Sequence, residues 1–564
     1  MSPPYLQRVA DTQQLIVNGE PFLMLAGELQ NSSLTSVEYM RETWQRLKDT
    51  NVNTALGCVT WEMIEPTEDS FDFSIIDQII LDARSHDMHL VLLWFGSFKN
   101  GISTYAPGWV KKDFKRFPRA KLSKAGAVLE TADLVSIFHT EAQRADAKAF
   151  AKLMGHLKEI DEEHSTVLMV QVENETGLLG DSRDRSPAAE ERFSQPVPTD
   201  LLDFLTTDYD QLHPALQSRL TTFKSTTHVP GQSSWADVFG PSPSTDEIFM
   251  AYHYTLYLEQ VASAGLAAYP IPLYTNVWQN YFDVDSDPSS LSSPSIVGGG
   301  NQPGDYPSGG GVINVLDIWQ RFAPSLAFIA PDVYLNDYTS SCDKYRHRNQ
   351  ALFIPEQRRD AFGARRIWTA YATFSALGVS PFGIDDERLV PATNPFTREY
   401  GLLNKVKHWL LEAQRRPGTA VGFYFDDMPV GGPDSSPVRT VEMEGWKLTI
   451  ERSFVFGHPA PGAGMVVHLE GNRFLLVGYG FQVGFESLSP KATFTGILNF
   501  EEKEVVNGTE LKTRRRLNGD ETRSGKVAIM PSEDPDYGGF PICVTIPAVT
   551  GIAVVEPYAL EEEK

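Results

Sequence analysis

The sequence has few cysteines and no long apolar run, and each shortage excludes a class of protein. Its three cysteines, Cys58, Cys342 and Cys543, are odd in number and widely spaced, which excludes a disulfide framework and a cysteine-ligated zinc site. No stretch approaches the roughly 18 apolar residues of a membrane-spanning helix. The first residues lack the basic and apolar regions of a signal peptide. We therefore expect a reduced, cytoplasmic protein.

Basic side chains are also scarce. The chain carries 49 Lys and Arg against 73 Asp and Glu, which gives a formal net charge of −24. Such a surface repels phosphate backbones and anionic lipids, so we expect no nucleic-acid partner and no membrane partner. Hydrophobic residues make up 41% of the chain and charged residues only 22%, which excludes global disorder.

Residues 20–415 alternate between β-prone and helical segments about eight times. No glycine-rich dinucleotide turn follows the first β-prone segment. The pattern therefore favours a (β/α)8 TIM barrel over an open doubly wound sheet. The β-prone segments, mostly apolar runs, are 21–26, 53–61, 89–95, 167–172, 272–277, 326–330, 351–354 and 380–385.

After residue 417 the pattern changes to strands with a period of two. Residues 446–451 alternate in this way, and Asn507-Gly508 and Asn518-Gly519 are hairpin signals. We therefore predict two domains, a catalytic barrel over 1–417 and an all-β sandwich over 418–564. Two long polar segments, 180–199 and 283–311, interrupt the barrel pattern, and we expect each either to border the mouth of the barrel or to be disordered.

Two glutamates follow apolar strands of the predicted barrel. Glu175 lies in the segment Q-V-E-N-E-T-G at 171–177, and Glu356 lies in F-I-P-E-Q-R at 353–358. Catalytic residues of such barrels collect at the carboxyl ends of the strands, where residues distant in sequence can meet. Glycoside hydrolysis with retention needs two carboxyl groups about 5–5.5 Å apart. The pair therefore indicates a retaining glycosidase.

With these two segments, residues 20–410 resemble glycoside hydrolase family 35, the β-galactosidase family, although Thr176 replaces the tyrosine of its Q-V-E-N-E-Y-G segment. The chain is most similar to the subgroup that carries L-W-F-G-S-x-K-N-G and P-E-Q-R-R-D and ends in a small β domain. The resemblance implies that Glu175 is the acid/base, that Glu356 is the nucleophile, and that Asn174 binds the sugar 2-hydroxyl.

Further strand-end residues are candidates for binding the sugar. Aromatic rings stack on pyranose faces, and a tyrosine hydroxyl can bond a carboxylate nucleophile. Three positions depart from the family: Cys58 stands where many members have tyrosine, Glu62 replaces an asparagine, and Lys99 with Asn100 takes the place of an acidic residue. The candidates are Trp61, Glu62, Trp94, Lys99, Asn100, Trp278 and Tyr334.

The sequence thus predicts a retaining exo-β-glycosidase that removes terminal non-reducing β-linked galactose from an oligosaccharide or glycoside by double displacement. No cofactor and no metal ion are expected. Glucosamine, arabinose or a modified galactoside are alternative sugars, and a non-catalytic carbohydrate-binding protein is an alternative class. A metal-dependent barrel enzyme would need three convergent carboxylates, which the sequence alone does not assemble. A homodimer is a hypothesis only.

Overall fold

The computed structural model describes residues 2–562, except 125, 127, 226–228, 281–299, 429–433, 435, 437, 454–457, 518 and 533–548. Cys543, the Asn518 hairpin signal and most of the long segment 283–311 therefore lie outside the described residues. Within the described ranges, no helix combines the length and apolar character needed to cross a bilayer.

Eight parallel strands form a closed barrel, which confirms the predicted fold. They follow one another around the barrel in chain order. The sixth and seventh strands close the barrel through a hydrogen bond of 2.9 Å from the backbone N–H of Val333 to the carbonyl oxygen of Glu356. The barrel strands are β4 (Met24–Glu28), β5 (Thr54–Thr60), β6 (His89–Lys99), β9 (Val167–Asn174), β10 (Leu273–Trp278), β11 (Phe328–Asp332), β12 (Ile354–Gln357) and β13 (Gly378–Pro381).

The apolar runs of the sequence become barrel strands because both faces of each strand are covered. Leu56, Val91, Met169, Tyr274 and Phe353 fill the inside of the barrel and are fully buried. Residues of the opposite pleat face the surrounding helices. The core therefore closes the lower part of the barrel and leaves the carboxyl ends of the strands for a site.

Helices cover the outside of the barrel. The two longest helices, α5 (Thr140–Asp161) and α11 (Pro243–Ala268), pack against each other. A π-helical turn, Thr369–Thr373, follows α14 (Ala361–Trp368). The helices are α1 (Val37–Asp49), α2 (Trp61–Ile64), α3 (Ser74–Ser85), α4 (Gly108–Lys112), α5 (Thr140–Asp161), α6 (Pro187–Ser194), α7 (Thr199–Thr207), α8 (Pro214–Arg219), α9 (Thr221–Ser225), α10 (Trp235–Phe239), α11 (Pro243–Ala268), α12 (Leu316–Phe322), α13 (Tyr338–Lys344), α14 (Ala361–Trp368) and α15 (Pro395–Gln414).

Two short antiparallel sheets lie outside the barrel. A three-stranded sheet precedes it, formed by β1 (Tyr5–Val9), β2 (Thr12–Val17) and β3 (Glu20–Phe22). A hairpin of β7 (Arg119–Lys124) and β8 (Val128–Val135) follows the third barrel strand.

The C-terminal region is all-β, as predicted. Two antiparallel sheets, of six and four strands, share a second hydrophobic core. Asn507 and Gly508 both have positive φ and join β20 (Ala492–Val506) to β21 (Glu510–Arg516), which is the hairpin that their sequence predicts. The strands are β14 (Ala420–Phe425), β15 (Arg439–Met443), β16 (Trp446–Arg452), β17 (Gly462–His468), β18 (Phe474–Tyr479), β19 (Phe481–Ser487), β20 (Ala492–Val506), β21 (Glu510–Arg516), β22 (Val527–Met530) and β23 (Ile552–Glu561).

The β region packs directly on the barrel helices. Glu399 of α15 accepts hydrogen bonds from Trp368 Nε1 at 2.8 Å and from the Tyr479 hydroxyl at 2.9 Å, and all three side chains are buried. Gly422 of β14 lies so close to the backbone of Trp368 that an added Cβ would overlap its carbonyl oxygen. The interface between the β region and the barrel helices is therefore closely packed and contains a buried polar network.

The long polar segments touch the loop that carries Glu175. Segment 180–199 contains α6 and is fixed by ion pairs such as Arg183 with Glu190 at 2.8 Å. The described end of the second segment pairs with the start of the first and the residues just before it. Gly180 N–H donates to the carbonyl of Gly304 at 2.9 Å, and Leu178 and Ser308 exchange backbone hydrogen bonds of 3.0 and 2.9 Å. Gly177 has φ +146° and leaves no room for a Cβ beside Pro307.

Candidate active site

A cavity of about 460 Å³ opens at the carboxyl ends of the barrel strands. Its volume is in the range of small-molecule sites, and it combines aromatic rings with convergent polar groups. The lining residues are Asn31, Lys99, Asn100, Ile102, Glu175, Leu179, Trp278, Gln279, Asp332, Tyr334, Leu335, Asn336, Glu356 and Phe382.

Glu356 of β12 is surrounded by hydrogen-bond donors. Its Oε1 accepts from the amide nitrogens of Asn174 and Asn276, both at 3.2 Å. Its Oε2 accepts from the Tyr334 hydroxyl at 2.9 Å. Burial and the neighbouring Glu356 charge raise the pKa of Tyr334, so this phenol stays a donor. Three donors favour the ionised carboxylate, the form that a nucleophile needs.

Glu175 follows β9 and is held in a different environment. Its backbone N–H donates to Asn276 Oδ1 at 2.9 Å, and its φ of +44° turns the chain out of the strand. Burial, followed by the charge of Glu356, raises the pKa of Glu175 to about 7. This carboxyl group therefore retains a proton close to neutral pH, as an acid catalyst requires.

A third carboxyl group, Asp332 at the end of β11, completes a cluster with the two glutamates. One oxygen from each of the three groups lies within 4.8 Å of the others. Asn276 Nδ2 donates to Asp332 Oδ2 at 2.9 Å. The sequence did not single out Asp332 or Asn276, because their segments also contain aromatic residues that are more obvious sugar-binding candidates.

The three carboxylates that a metal-dependent enzyme would need are thus present, contrary to the expectation from sequence. Their surroundings do not suit a cation, however. The Glu356 oxygens face amide and phenol donors, and the Lys99 ammonium lies among the acids. An acidic cluster with this many donors is better suited to bind hydroxyl groups.

Lys99 is the cation of the site. Its Nζ donates to Asn174 Oδ1 at 2.9 Å and lies 4.8 Å from the centre of the Phe95 ring. Burial opposes the charge of Lys99, but the surrounding carboxyl groups, Glu356 first, raise its pKa overall. Lys99 thereby orients Asn174, whose amide group contacts Glu356.

Glu28 ends the first barrel strand beneath the same cluster. It is buried, and neither of its carboxyl oxygens meets a hydrogen-bond donor in the part of the chain that the structure describes. Burial and the Glu356 charge raise its pKa well above the usual value. Burial therefore favours the neutral form of this side chain.

Glu173 is two residues from Glu175 but lies behind the site. Its two oxygens accept from the backbone N–H groups of Ser97 and Phe98 at 3.1 and 2.7 Å. Burial and the adjacent Asp146 raise its pKa well above the usual value. Glu173 thus fixes the segment that presents Lys99.

The structure brings seven predicted residues together at the cavity. Trp278 Nε1 and Asn100 Oδ1 are buried and have no partner among the described residues, so both can bond a ligand. The residues are Glu175, Glu356, Asn174, Lys99, Asn100, Trp278 and Tyr334.

Three predicted sugar-binding residues, Trp61, Glu62 and Trp94, do not line this cavity. Trp61 begins α2, so its ring turns into the helix layer and donates to Glu65 at 2.9 Å. Trp94 occupies the outward pleat of β6 and packs 5.7 Å from the Phe150 ring. Glu62 is partly exposed and pairs with Lys111 at 3.1 Å.

The glycoside hydrolase family 42 model, described as β-galactosidase, matches residues 31–260. A second family model, described as a domain of unknown function, matches residues 396–529. No curated protein matches the chain. The match supports the coarser resemblance to glycoside hydrolases, whereas the finer assignment to family 35 is not supported.

Several solved structures are similar to this chain at low identity. The β-galactosidases from Bacillus circulans sp. alkalophilus and Marinomonas ef1 share 14% and 13% identity with it, each at a TM-score of 0.45. Each similarity covers 69% of this chain and 57% or 60% of the other chain. The catalytic domain of a β-amylase from Paenibacillus polymyxa shares 11% identity at a TM-score of 0.46, over 67% of this chain and 96% of that one. The chain thus spans less than two thirds of the length of these β-galactosidases.

Proposed function

We propose that the chain is a retaining exo-β-glycosidase and that its substrate is a β-galactoside. The observation that carries the proposal is the pairing of Glu175 and Glu356, whose facing oxygens lie within 4.8 Å and whose environments differ. Retaining enzymes need two carboxyl groups at about this separation, one protonated and one ionised.

In the first step, Glu356 attacks the anomeric carbon while Glu175 gives its proton to the departing glycosidic oxygen. In the second step, Glu175 takes a proton from water, the water oxygen bonds to the anomeric carbon, and Glu356 departs. Asn174, Asn276 and Tyr334 hold Glu356 for attack. The net result retains the anomeric configuration.

The sugar and its linkage belong to the same proposal. The family 42 match over 31–260 favours galactose. Cys58 and Lys99 depart from the family 35 pattern, which keeps β-linked glucosamine, arabinose and modified galactose as candidates. We also propose the domain limits 1–417 and 418–564; a homodimer stays a prediction from sequence.

A panel of aryl β-glycosides tests the function. We expect the galactoside to be hydrolysed fastest and the first-formed sugar to be the β-anomer by proton NMR. We expect kcat/KM to fall as the pH rises through about 7, because Glu175 then loses the proton that it must donate. Sugar binding without hydrolysis of any glycoside would favour the non-catalytic alternative, and an initial α-anomer would exclude the two-step mechanism.

A further inference from the structure

Asp332 has one carboxyl oxygen that the hydrogen-bond network leaves open. Its Oδ2 accepts from Asn276, and its backbone oxygen accepts from Gln279 Nε2 at 2.8 Å. Its Oδ1 is buried and meets no donor among the residues that the structure describes. The Glu175 carboxyl group lies within hydrogen-bond reach of Asp332. A hydrogen bond between two carboxyl groups requires one proton.

We propose that Asp332 is a positioning residue that keeps its own proton and donates a hydrogen bond from Oδ1 to Glu175. The proposal rests on the proposed function. Asp332 would hold Glu175 in place and stabilise its negative charge after Glu175 has protonated the leaving group. Glu175 could then act as the base in the second step without leaving an uncompensated buried charge.

The charges around Asp332 explain why the proton belongs there. One carboxyl oxygen from each of Glu175, Glu356 and Asp332 lies within 4.8 Å of the others, so ionising all three groups would cost a large repulsive free energy. Glu356 receives three hydrogen-bond donors, so its ionised form is favoured, whereas Asp332 receives one donor on its carboxyl group. The titratable groups that face Asp332 from the neighbouring elements are Glu175, Glu356, Glu28, Lys99, Tyr274, Tyr334 and Tyr345.

The direction of the pKa shifts agrees with this arrangement. Burial, and then the charges of Glu356, Glu175 and Glu28, raise the pKa of Asp332 well above its usual value. Burial also raises the pKa of Glu175, but the hydrogen bond from Asp332 acts in the opposite direction. The Glu175 carboxylate is therefore easier to form than it would be without Asp332.

The proton balance of the reaction is unchanged by Asp332. When the glycosidic C–O bond breaks, its electron pair stays on the leaving oxygen, which takes the Glu175 proton. Asp332 retains its proton and bonds the new Glu175 carboxylate. When water attacks, its proton returns to Glu175 and the bond between sugar and Glu356 breaks.

Two variants separate this role from a merely structural one. Asp332→Asn keeps a donor toward Glu175 and an acceptor for Asn276, so we expect the alkaline limb of kcat/KM to stay at its wild-type pH. Asp332→Ala removes the donor, so we expect that limb to move up by about 0.5–1 pH unit and kcat to fall by about 10- to 100-fold. The exposed substitution Asp87→Asn is the matched control and should change neither quantity.

Two kinetic results would overturn the proposal. If Asp332 is ionised in the wild type, its charge raises the pKa of Glu175, so Asp332→Asn would move the alkaline limb to lower pH. Loss of wild-type activity on removal of divalent cations by a chelator would instead assign the three carboxyl groups to a metal ion.

A second measurement does not depend on turnover. The infrared difference spectrum of wild type minus Asp332→Asn at neutral pH should contain the carbonyl stretch of a protonated carboxylic acid. Absence of that band would refute the protonated Asp332 whatever the substrate. A band in a protein that hydrolyses no glycoside would refute the proposed function and leave the proton assignment standing.

Discussion

At the scale of single residues, two glutamates of one short segment have opposite roles. Glu173 and Glu175 would share a face in a regular strand, since side chains repeat every two residues. Glu173 and Glu175 instead have positive φ, +60° and +44°, which breaks the regular pleat. The Glu173 carboxyl group therefore contacts the backbone of Ser97 and Phe98, whereas that of Glu175 lines the cavity. Such backbone costs of order 1–3 kcal/mol per residue and is found mainly at functional sites.

The catalytic assignment predicts the effect of removing either cavity glutamate. Glu175→Gln cannot donate a proton and Glu356→Gln cannot attack, so each should lower kcat on a natural oligosaccharide by at least about 100-fold. Glu68→Gln, an exposed glutamate paired with Arg116, serves as the control and should keep full activity. Full activity in either cavity variant would refute the catalytic role assigned to that glutamate.

At the scale of elements, the sequence predicted the strands better than the directions of their side chains. Runs such as 167–172 identify strands because apolar side chains cover both faces. Glu175 and Glu356 were found because an acid directly after such a run is conspicuous. Trp61 and Trp94 follow the same sequence logic but lie outside the cavity, because the start of α2 and the pleat of β6 direct their rings into the helix layer. Asp332 was missed because Tyr334 in the same segment is the more obvious sugar-binding candidate.

The buried pair of Glu173 and Asp146 gives a prediction for the segment after β6. Glu173→Ala would leave the N–H group of Phe98 without an acceptor and that of Ser97 with Asp146 alone, and should lower the free energy of unfolding by about 1–3 kcal/mol. Glu173→Gln resembles the protonated acid and should cost clearly less. Urea unfolding measures both. Equal losses in the two variants would contradict a protonated Glu173.

The contact between α14 and β14 gives a second prediction at this scale. Gly422→Ala places a Cβ against the carbonyl of Trp368, and should lower the unfolding temperature and, through α14 and the preceding β12, the activity. Gly484→Ala in β19 is the matched control, since its Cβ would meet no atom closer than 3.8 Å. Differential scanning calorimetry compares the two. A Gly422→Ala variant as stable as the control would contradict the prediction, because the interface would then rearrange to accommodate the added methyl group.

At the scale of the whole molecule, a chain with net charge −24 buries several acids. Glu28, Glu173 and Asp332 are buried, and their pKa values are raised first of all by that burial. In the unfolded chain these groups ionise near their ordinary pKa. At pH values above that, folding therefore requires them to take up protons.

This uptake fixes the sign of the pH dependence of stability. Above about pH 5 the folded state binds more protons at these groups than the unfolded state, so stability should fall as the pH rises toward about 8. The general negative charge acts in the same direction. Thermal unfolding across that range measures the slope, and Glu28→Gln should make it shallower. A melting temperature that rises steadily with pH would contradict the raised pKa values of these acids.

The close packing of Gly422 against Trp368, together with the hydrogen bonds of Glu399, has a consequence for the evolution of the protein. Two modules joined by a flexible linker can be exchanged by recombination, because neither depends on the shape of the other. Here a new partner for the barrel would have to supply both a glycine beside α14 and a tyrosine for Glu399. Chimaeras cut near residue 417 should therefore fold only when both halves come from the same lineage, and the two regions are expected to be inherited as a unit.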